Sequence, residues 1–297
     1  MSPAAHLTLT QRDLAILLMA HAYQGVTVEL VRRRHFASNG ARSACYTRIK
    51  KLISADYLTS LRLGSTSGVG SGKAFLTLGA HGRSVVADVL GLSVSELGRS
   101  SRMHAPALID HHLATADFHL SLELATEHSS TFRLVDWTSE VELRQAPMKV
   151  TDPLTRRPIT VIPDGAFVLA LPDDTEQGFR LEMDMGTIPP KRLRTKLRGY
   201  LAARVKRSTP ILFAVPDELR RAAINRWTLD EAQRIDADPT IIWLALQSDV
   251  TEDTLFTQPI WQVVGGPVRL ALDVVAGEET ATSHQRGEHL IVAGGRR

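Results

Sequence analysis

Cysteine is almost missing from this chain. Cys45 is the only one in 297 residues, so an internal disulfide is excluded and a reducing, cytoplasmic setting is expected. No apolar run is long enough to span a membrane and no secretory leader opens the sequence, so no membrane partner is expected. There is no internal repeat. Gly68-Val69-Gly70-Ser71-Gly72-Lys73 lacks the Walker spacing and is followed by a strand-like run, which argues against a nucleotide loop. His111, His112 and His119 have no second group of soft ligands to close a zinc site. No nucleophile–base pair or cofactor motif suggests a small-molecule enzyme.

What is present divides in two. The length allows about two domains. Residues 1–103 hold thirteen Lys and Arg against five Asp and Glu, a net +8, and the whole chain is +3, so the rest is −5. A basic front half is the electrostatic footprint of a nucleic-acid binder. The expected layout is a winged-helix DNA-binding domain over 1–92, a linker over 93–106, an α/β domain over 107–276 and a disordered tail over 277–297.

In the front half, Thr10 and Asp13 form an approximate capping box ahead of a helix that Gly25 ends. Short helices are expected over 28–36 and 41–54. Two strands, 56–63 and 73–78, flank 64–72 with its four glycines and three serines. Three helices and a hairpin are the layout of a winged helix, in which the third helix enters the major groove and the wing touches phosphate. The expected partner is double-stranded DNA, and the expected contacts are Arg32, Arg33, Arg34, Arg42, Arg48, Lys50, Lys51 and Lys73. Cys45 falls in the third helix and is read as packing.

In the back half, a helix is expected over 107–127, strands over 132–137 and within 159–171, and a strand over 179–184. Ser139–Leu143 is expected to extend the first strand or pair with it. Asp164 lies in Pro163-Asp164-Gly165 near the start of one strand, and Glu182 and Asp184 alternate on another. As neighbours these strands would gather carboxylates suited to Mg²⁺. Pro-Asp-Gly is equally a good turn, and an alternating charged strand equally a solvated face. Residues 191–207 carry eight basic residues and no acidic one on a predicted helix, which reads as cations offered to phosphate. Strands over 210–216 and 240–246 bracket a helix over 217–236 anchored by Trp227, and 259–275 is expected to add a last strand or hairpin.

This order resembles the core of the PD-(D/E)xK nuclease superfamily. The resemblance implies an α/β (α+β) fold class: an N-terminal winged helix-turn-helix domain followed by a mixed-sheet PD-(D/E)xK restriction-endonuclease-like domain. It matches Asp164 and Glu182 to the acidic pair and Glu123 to an acid on the first core helix. The position of the motif lysine holds Asp184, which becomes a possible third metal ligand beside Asp164 and Glu182. The lysine role then passes to Lys196, or next to Lys191, on the following helix. Both halves together resemble the plasmid replication-relaxation proteins. That likeness rests on Leu9-Thr10-Gln11-Arg12-Asp13, residues 41–58, His112-Leu113-Ala114, Pro163-Asp164-Gly165, residues 181–187 and Lys196-Leu197-Arg198-Gly199-Tyr200, and covers about residues 8–250.

The resemblance implies a DNA-binding accessory of plasmid or mobile-element replication or mobilisation, with replication or mobilisation proteins as partners and a homodimer as a possible state. Its nuclease-like domain is either a Mg²⁺-dependent endonuclease or a non-cutting scaffold. The alternative is a winged-helix transcriptional regulator whose back half dimerises or docks a partner. In that case Asp164→Ala and Glu182→Ala leave every activity intact.

Overall fold

The computed structural model describes residues 7–37, 41–62, 74–97, 106–173, 175–203, 209–266, 269–270 and 272. The fold is mixed α and β, in two compact units, 1–120 and 121–297. The division falls inside a long helix, later than the 93–106 linker expected from composition; residues 98–105 of that linker lie outside the described residues.

The first unit opens with α1 (Gln11–Ala22), capped as its sequence predicts. The Thr10 amide donates to Asp13 Oδ2 at 2.6 Å and the Asp13 amide donates to Thr10 Oγ1 at 3.3 Å. Gly25 turns the chain at φ +129°, where a Cβ would overlap the Phe75 ring. A two-residue strand β1 (Val26–Thr27) follows, too short for sequence periodicity to reveal. Thr27 caps α2 (Val28–His35), and α3 (Arg42–Ser54) comes next. Strands β2 (Leu58–Arg62) and β3 (Ala74–Leu78) pair antiparallel, and β1 joins β3, giving the order β1-β3-β2. The Gly/Ser tip and Lys73 lie outside the described residues. α4 (Ala80–Leu90) closes on Gly91 in the left-handed region.

α5 (Pro106–His128) carries the histidines considered as zinc ligands. The His119 ring stacks on Tyr23 at 4.7 Å and His112 Nε2 lies 2.6 Å from the Tyr23 carbonyl oxygen. Burial lowers the His119 pKa to about 3, so the ring stays neutral at neutral pH.

The second unit is built on a seven-stranded sheet in the order β12-β11-β10-β9-β8-β7-β4. Its strands are β4 (Arg133–Ser139), β7 (Gly165–Ala170), β8 (Glu176–Met183), β9 (Ile211–Val215), β10 (Ile242–Leu246), β11 (Trp261–Val263) and β12 (Arg269–Leu270). β8, β9 and β10 run parallel and the other pairs antiparallel. The parallel connections pass through α7 (Pro190–Ala202) and α8 (Glu218–Ile235). Right-handed crossovers taken in one direction place both helices on one face. There Leu193, Leu197, Tyr200, Ile224, Ile211, Phe213 and Leu244 share one buried core.

Two expectations change here. Residues 140–143 form the short helix α6 (Glu140–Leu143) rather than strand, because Ser139 and Glu142 make a reciprocal capping box. The 159–171 run is two strands. β6 (Pro158–Val161) pairs with β5 (Met148–Thr151) in a separate hairpin, and the chain breaks over Ile162-Pro163-Asp164 before β7. Proline at 163 cannot donate to a ladder, which is why the run divides there.

Candidate functional site

Asp164 is held at the junction of β7 and β8. Its amide donates to the Leu181 carbonyl at 2.9 Å and its Oδ2 accepts from the Met183 amide at 2.7 Å. Glu182 lies between these two β8 residues and is buried. Both of its oxygens are engaged from α7: Oε2 accepts from the Lys196 ammonium and Oε1 from the Tyr200 hydroxyl. Lys196 and Tyr200 are four residues apart and so share a helix face. The spacing Lys-x-x-x-Tyr is readable in the sequence, but that both side chains reach Glu182 is shown only by the fold.

Burial pushes the Glu182 carboxyl up to about 7; Lys196 pulls it back and the Asp164 charge adds to the rise. Burial works to lower the Lys196 pKa, but the carboxylates of Glu182 and Asp164 outweigh it and hold it above its ordinary value. Burial and Glu182 drive the Tyr200 pKa well up, so its hydroxyl stays a donor. The result is two carboxylates, one ammonium and one phenol in a poorly solvated corner of the sheet.

Gly199 brings α7 close onto β6. A Cβ there would stand 2.6 Å from Val161 Cγ2 and 2.9 Å from Ile159 Cγ2 of β6. Gly199→Val is therefore expected to lift the helix. The cost is about 1–3 kcal/mol of overpacking, measured as a fall in denaturation midpoint at constant m-value.

The remaining candidates are placed elsewhere. Asp184 lies on the same face but faces α8. Arg220 Nε donates to its Oδ2 at 2.6 Å and Nη2 to its Oδ1 at 3.0 Å, a bidentate pair. Gln247 Nε2 also donates to the Asp184 carbonyl at 2.8 Å. Glu123 is half-buried on α5, with its carbonyl accepting from the Thr126 hydroxyl. Among the described residues, no three His, Cys, Asp or Glu side chains are gathered to hold a metal ion. Asp164 and Glu182 remain the paired carboxylates, and two carboxylates fit Mg²⁺, which keeps several of its waters and shares substrate phosphate oxygens.

The basic run on α7 is largely internal. Of its five described cations, Lys196 meets Glu182, Arg194 meets Asp230 and Glu231, and Arg198 meets Asp152 and Glu231; Lys191 and Arg192 are exposed. The acids that answer them are 14 to 46 residues away in sequence, so a local count of charge reads as single-sign what the fold neutralises. Arg204, Lys206 and Arg207 lie outside the described residues.

The same sorting applies to the first unit. Arg48 pairs with Asp13, which is fully buried, through Nε–Oδ1 at 2.7 Å. Arg32 pairs with Glu29 and Arg33 with Asp117. Arg34 is half-buried on α2. Arg42, Lys50 and Lys51 are exposed on α3, together with Ser43, Thr47 and Tyr46, which is 44% exposed. Arg42, Tyr46 and Lys50 follow one another at four-residue intervals, forming one stripe with the Arg42 guanidinium 6.0 Å from the Tyr46 ring. Tyr46 is a site candidate that sequence reasoning passed over, although its spacing between two cations was visible.

Among the described residues, this is a chain with a basic unit of four helices, the start of a fifth and three strands, and a mixed-sheet unit that buries two carboxylates against a lysine. The replication-relaxation family matches it over residues 17–210. That span covers both the α3 stripe and the Asp164–Glu182–Lys196 corner, and the chain belongs to this family. No curated protein and no solved structure matches it. Among the described residues no helix is long and apolar enough to cross a membrane.

Proposed function

We propose that the protein is a DNA-binding accessory of plasmid or mobile-element replication, with a metal-dependent phosphodiester centre in its second unit. The observation that carries this is the meeting of Asp164, Glu182 and Lys196 at adjacent strand ends. Asp164 and Glu182 would hold a divalent cation, which would supply Lewis-acid polarisation of the phosphodiester and a more acidic water. The chain's own part is positional and electrostatic. Two backbone contacts to β8 fix Asp164. Tyr200 and Lys196 fix Glu182. The Lys196 ammonium can reach a phosphate oxygen as negative charge develops there, in a corner where low solvation strengthens the interaction.

The helix–strand–helix–helix–strand–strand order, with sheet order β1-β3-β2, supports reading the first unit as a winged helix that lays α3 in the major groove. The Arg42–Tyr46–Lys50 stripe is then the DNA-facing surface. The double variant Arg42→Ala/Lys50→Ala is expected to bind duplex DNA about tenfold more weakly, with a salt slope lower by about 2 and unchanged folding. Arg48→Ala is expected to lower stability instead, since it leaves buried Asp13 without its cation. Fluorescence anisotropy over a salt series, beside thermal melts, checks both; equal DNA affinity for the double variant and wild type would remove α3 from the interface.

A further inference from the structure

Arg180 stands two residues before Glu182 on β8, on the same face of the sheet. Its register neighbours there are Ala166 of β7 and Ile211 of β9, which have no acceptor side chains. Its Nη1 is buried and has no hydrogen-bond partner among the described residues. On the same face, Arg194, Lys196, Arg198 and Arg220 each meet a carboxylate. Among the described residues, no carboxylate pairs with Arg180 Nη1.

Two residues further along the strand, Gly178 leaves space: a Cβ there would meet nothing within 4 Å. Arg180 is half-buried, and a guanidinium nitrogen taken out of water without a partner is a net cost to folding. Such costs concentrate where a ligand supplies the missing partner. The guanidinium fork matches the oxygens of a phosphate, and the group stands beside the corner that holds Glu182.

We propose that Arg180 forms an anion subsite that takes a nucleic-acid backbone phosphate flanking the one engaged at Asp164, Glu182 and Lys196. The location rests on the phosphodiester reading above, but the binding of phosphate by Arg180 is testable apart from it. The full chain and its Arg180→Met variant are melted with and without inorganic phosphate, then titrated with duplex DNA in EDTA. The variant is expected to melt higher than wild type in phosphate-free buffer, because a buried guanidinium nitrogen without a partner has gone. It is expected to lose the rise in melting temperature that phosphate gives wild type. Its DNA affinity is expected to fall about tenfold, with a salt slope lower by about 1.

A variant that melts lower than wild type without phosphate makes Arg180 a structural residue and overturns the proposal. So does a phosphate response that is absent from wild type or equal in the two proteins, or an unchanged DNA affinity. A protein that nicks no DNA yet keeps an Arg180-dependent phosphate response supports the anion subsite while the phosphodiester reading fails.

Discussion

Arg198→Met is expected to destabilise the second unit by about 3 kcal/mol, the scale for breaking a buried ion pair, lowering its melting temperature by roughly 6–12 °C. Arg198 is buried, as are its two acidic partners. Its Nε and Nη2 donate to Asp152 at 2.9 and 2.8 Å, and Nη1 donates to Glu231 at 2.6 Å. Asp152 lies in the loop between β5 and β6 and Glu231 on α8, so one side chain ties the hairpin, α7 and α8 together. Removing the cation strands the buried Asp152 carboxylate and leaves Glu231 to Arg194 and Arg234. Replacing all three by neutral residues (Arg198→Met, Asp152→Asn, Glu231→Gln) is expected to recover most of the loss.

The effect has a pH signature. Arg198 holds the Asp152 carboxyl well below the usual carboxylate range. Burial works to raise Glu231, but Arg198 and Arg194 outweigh it and keep it below its ordinary value. Depressed carboxylates stabilise the fold fully above their unfolded values, 3.8 for Asp152 and 4.5 for Glu231, and lose that contribution as pH falls through the folded values. The gap between wild type and Arg198→Met is therefore widest near neutral pH and narrows in acid. Thermal melts at neutral pH and near pH 3 check this; a gap that stays constant would show that the loss comes from packing and not from charge.

The second large effect concerns Lys196. Lys196→Ala is expected to reduce metal-dependent DNA cleavage by at least about 100-fold, the usual scale for removing one electrostatic contact to the transition state. Duplex binding through α3 should be unaffected. Lys191→Ala is the control. Lys191 is exposed at the first turn of α7, whereas Lys196 reaches Glu182. Equal loss in both variants would mean that the helix acts through general positive charge, and that the Lys196 contact has no special part.

The sequence marks the elements better than their company. The Thr10–Asp13 capping box, helices α1, α2 and α3 and the neighbouring strands with Asp164 and Glu182 were legible, because caps, periodicity and turns are local; α4 was not read. β1 was not, since two residues carry no period. The β5–β6 hairpin was hidden because Pro163 divides an apolar run that reads as one strand.

At the site, Glu182 and Lys196 could be named from a motif order, but their contact depends on Gly199 letting α7 settle on β6. Asp184 read as a ligand because alternation puts it on the Glu182 face. Its commitment to Arg220 arises across a crossover of 36 residues, which no local pattern reports. The partners of Arg33 and Arg48 are likewise 84 and 35 residues away, whereas Arg32 pairs with Glu29 three residues earlier, a spacing the sequence does show.

The central claim is that Asp164, Glu182 and Lys196 form a working phosphodiester centre. Its most direct test is nicking of supercoiled plasmid with Mg²⁺ or Mn²⁺, wild type beside Glu182→Ala, with EDTA as the blank. The account predicts metal-dependent relaxation by wild type and none by Glu182→Ala, while both bind the plasmid alike. Plasmid binding without nicking by wild type, or nicking retained by Glu182→Ala, would contradict it.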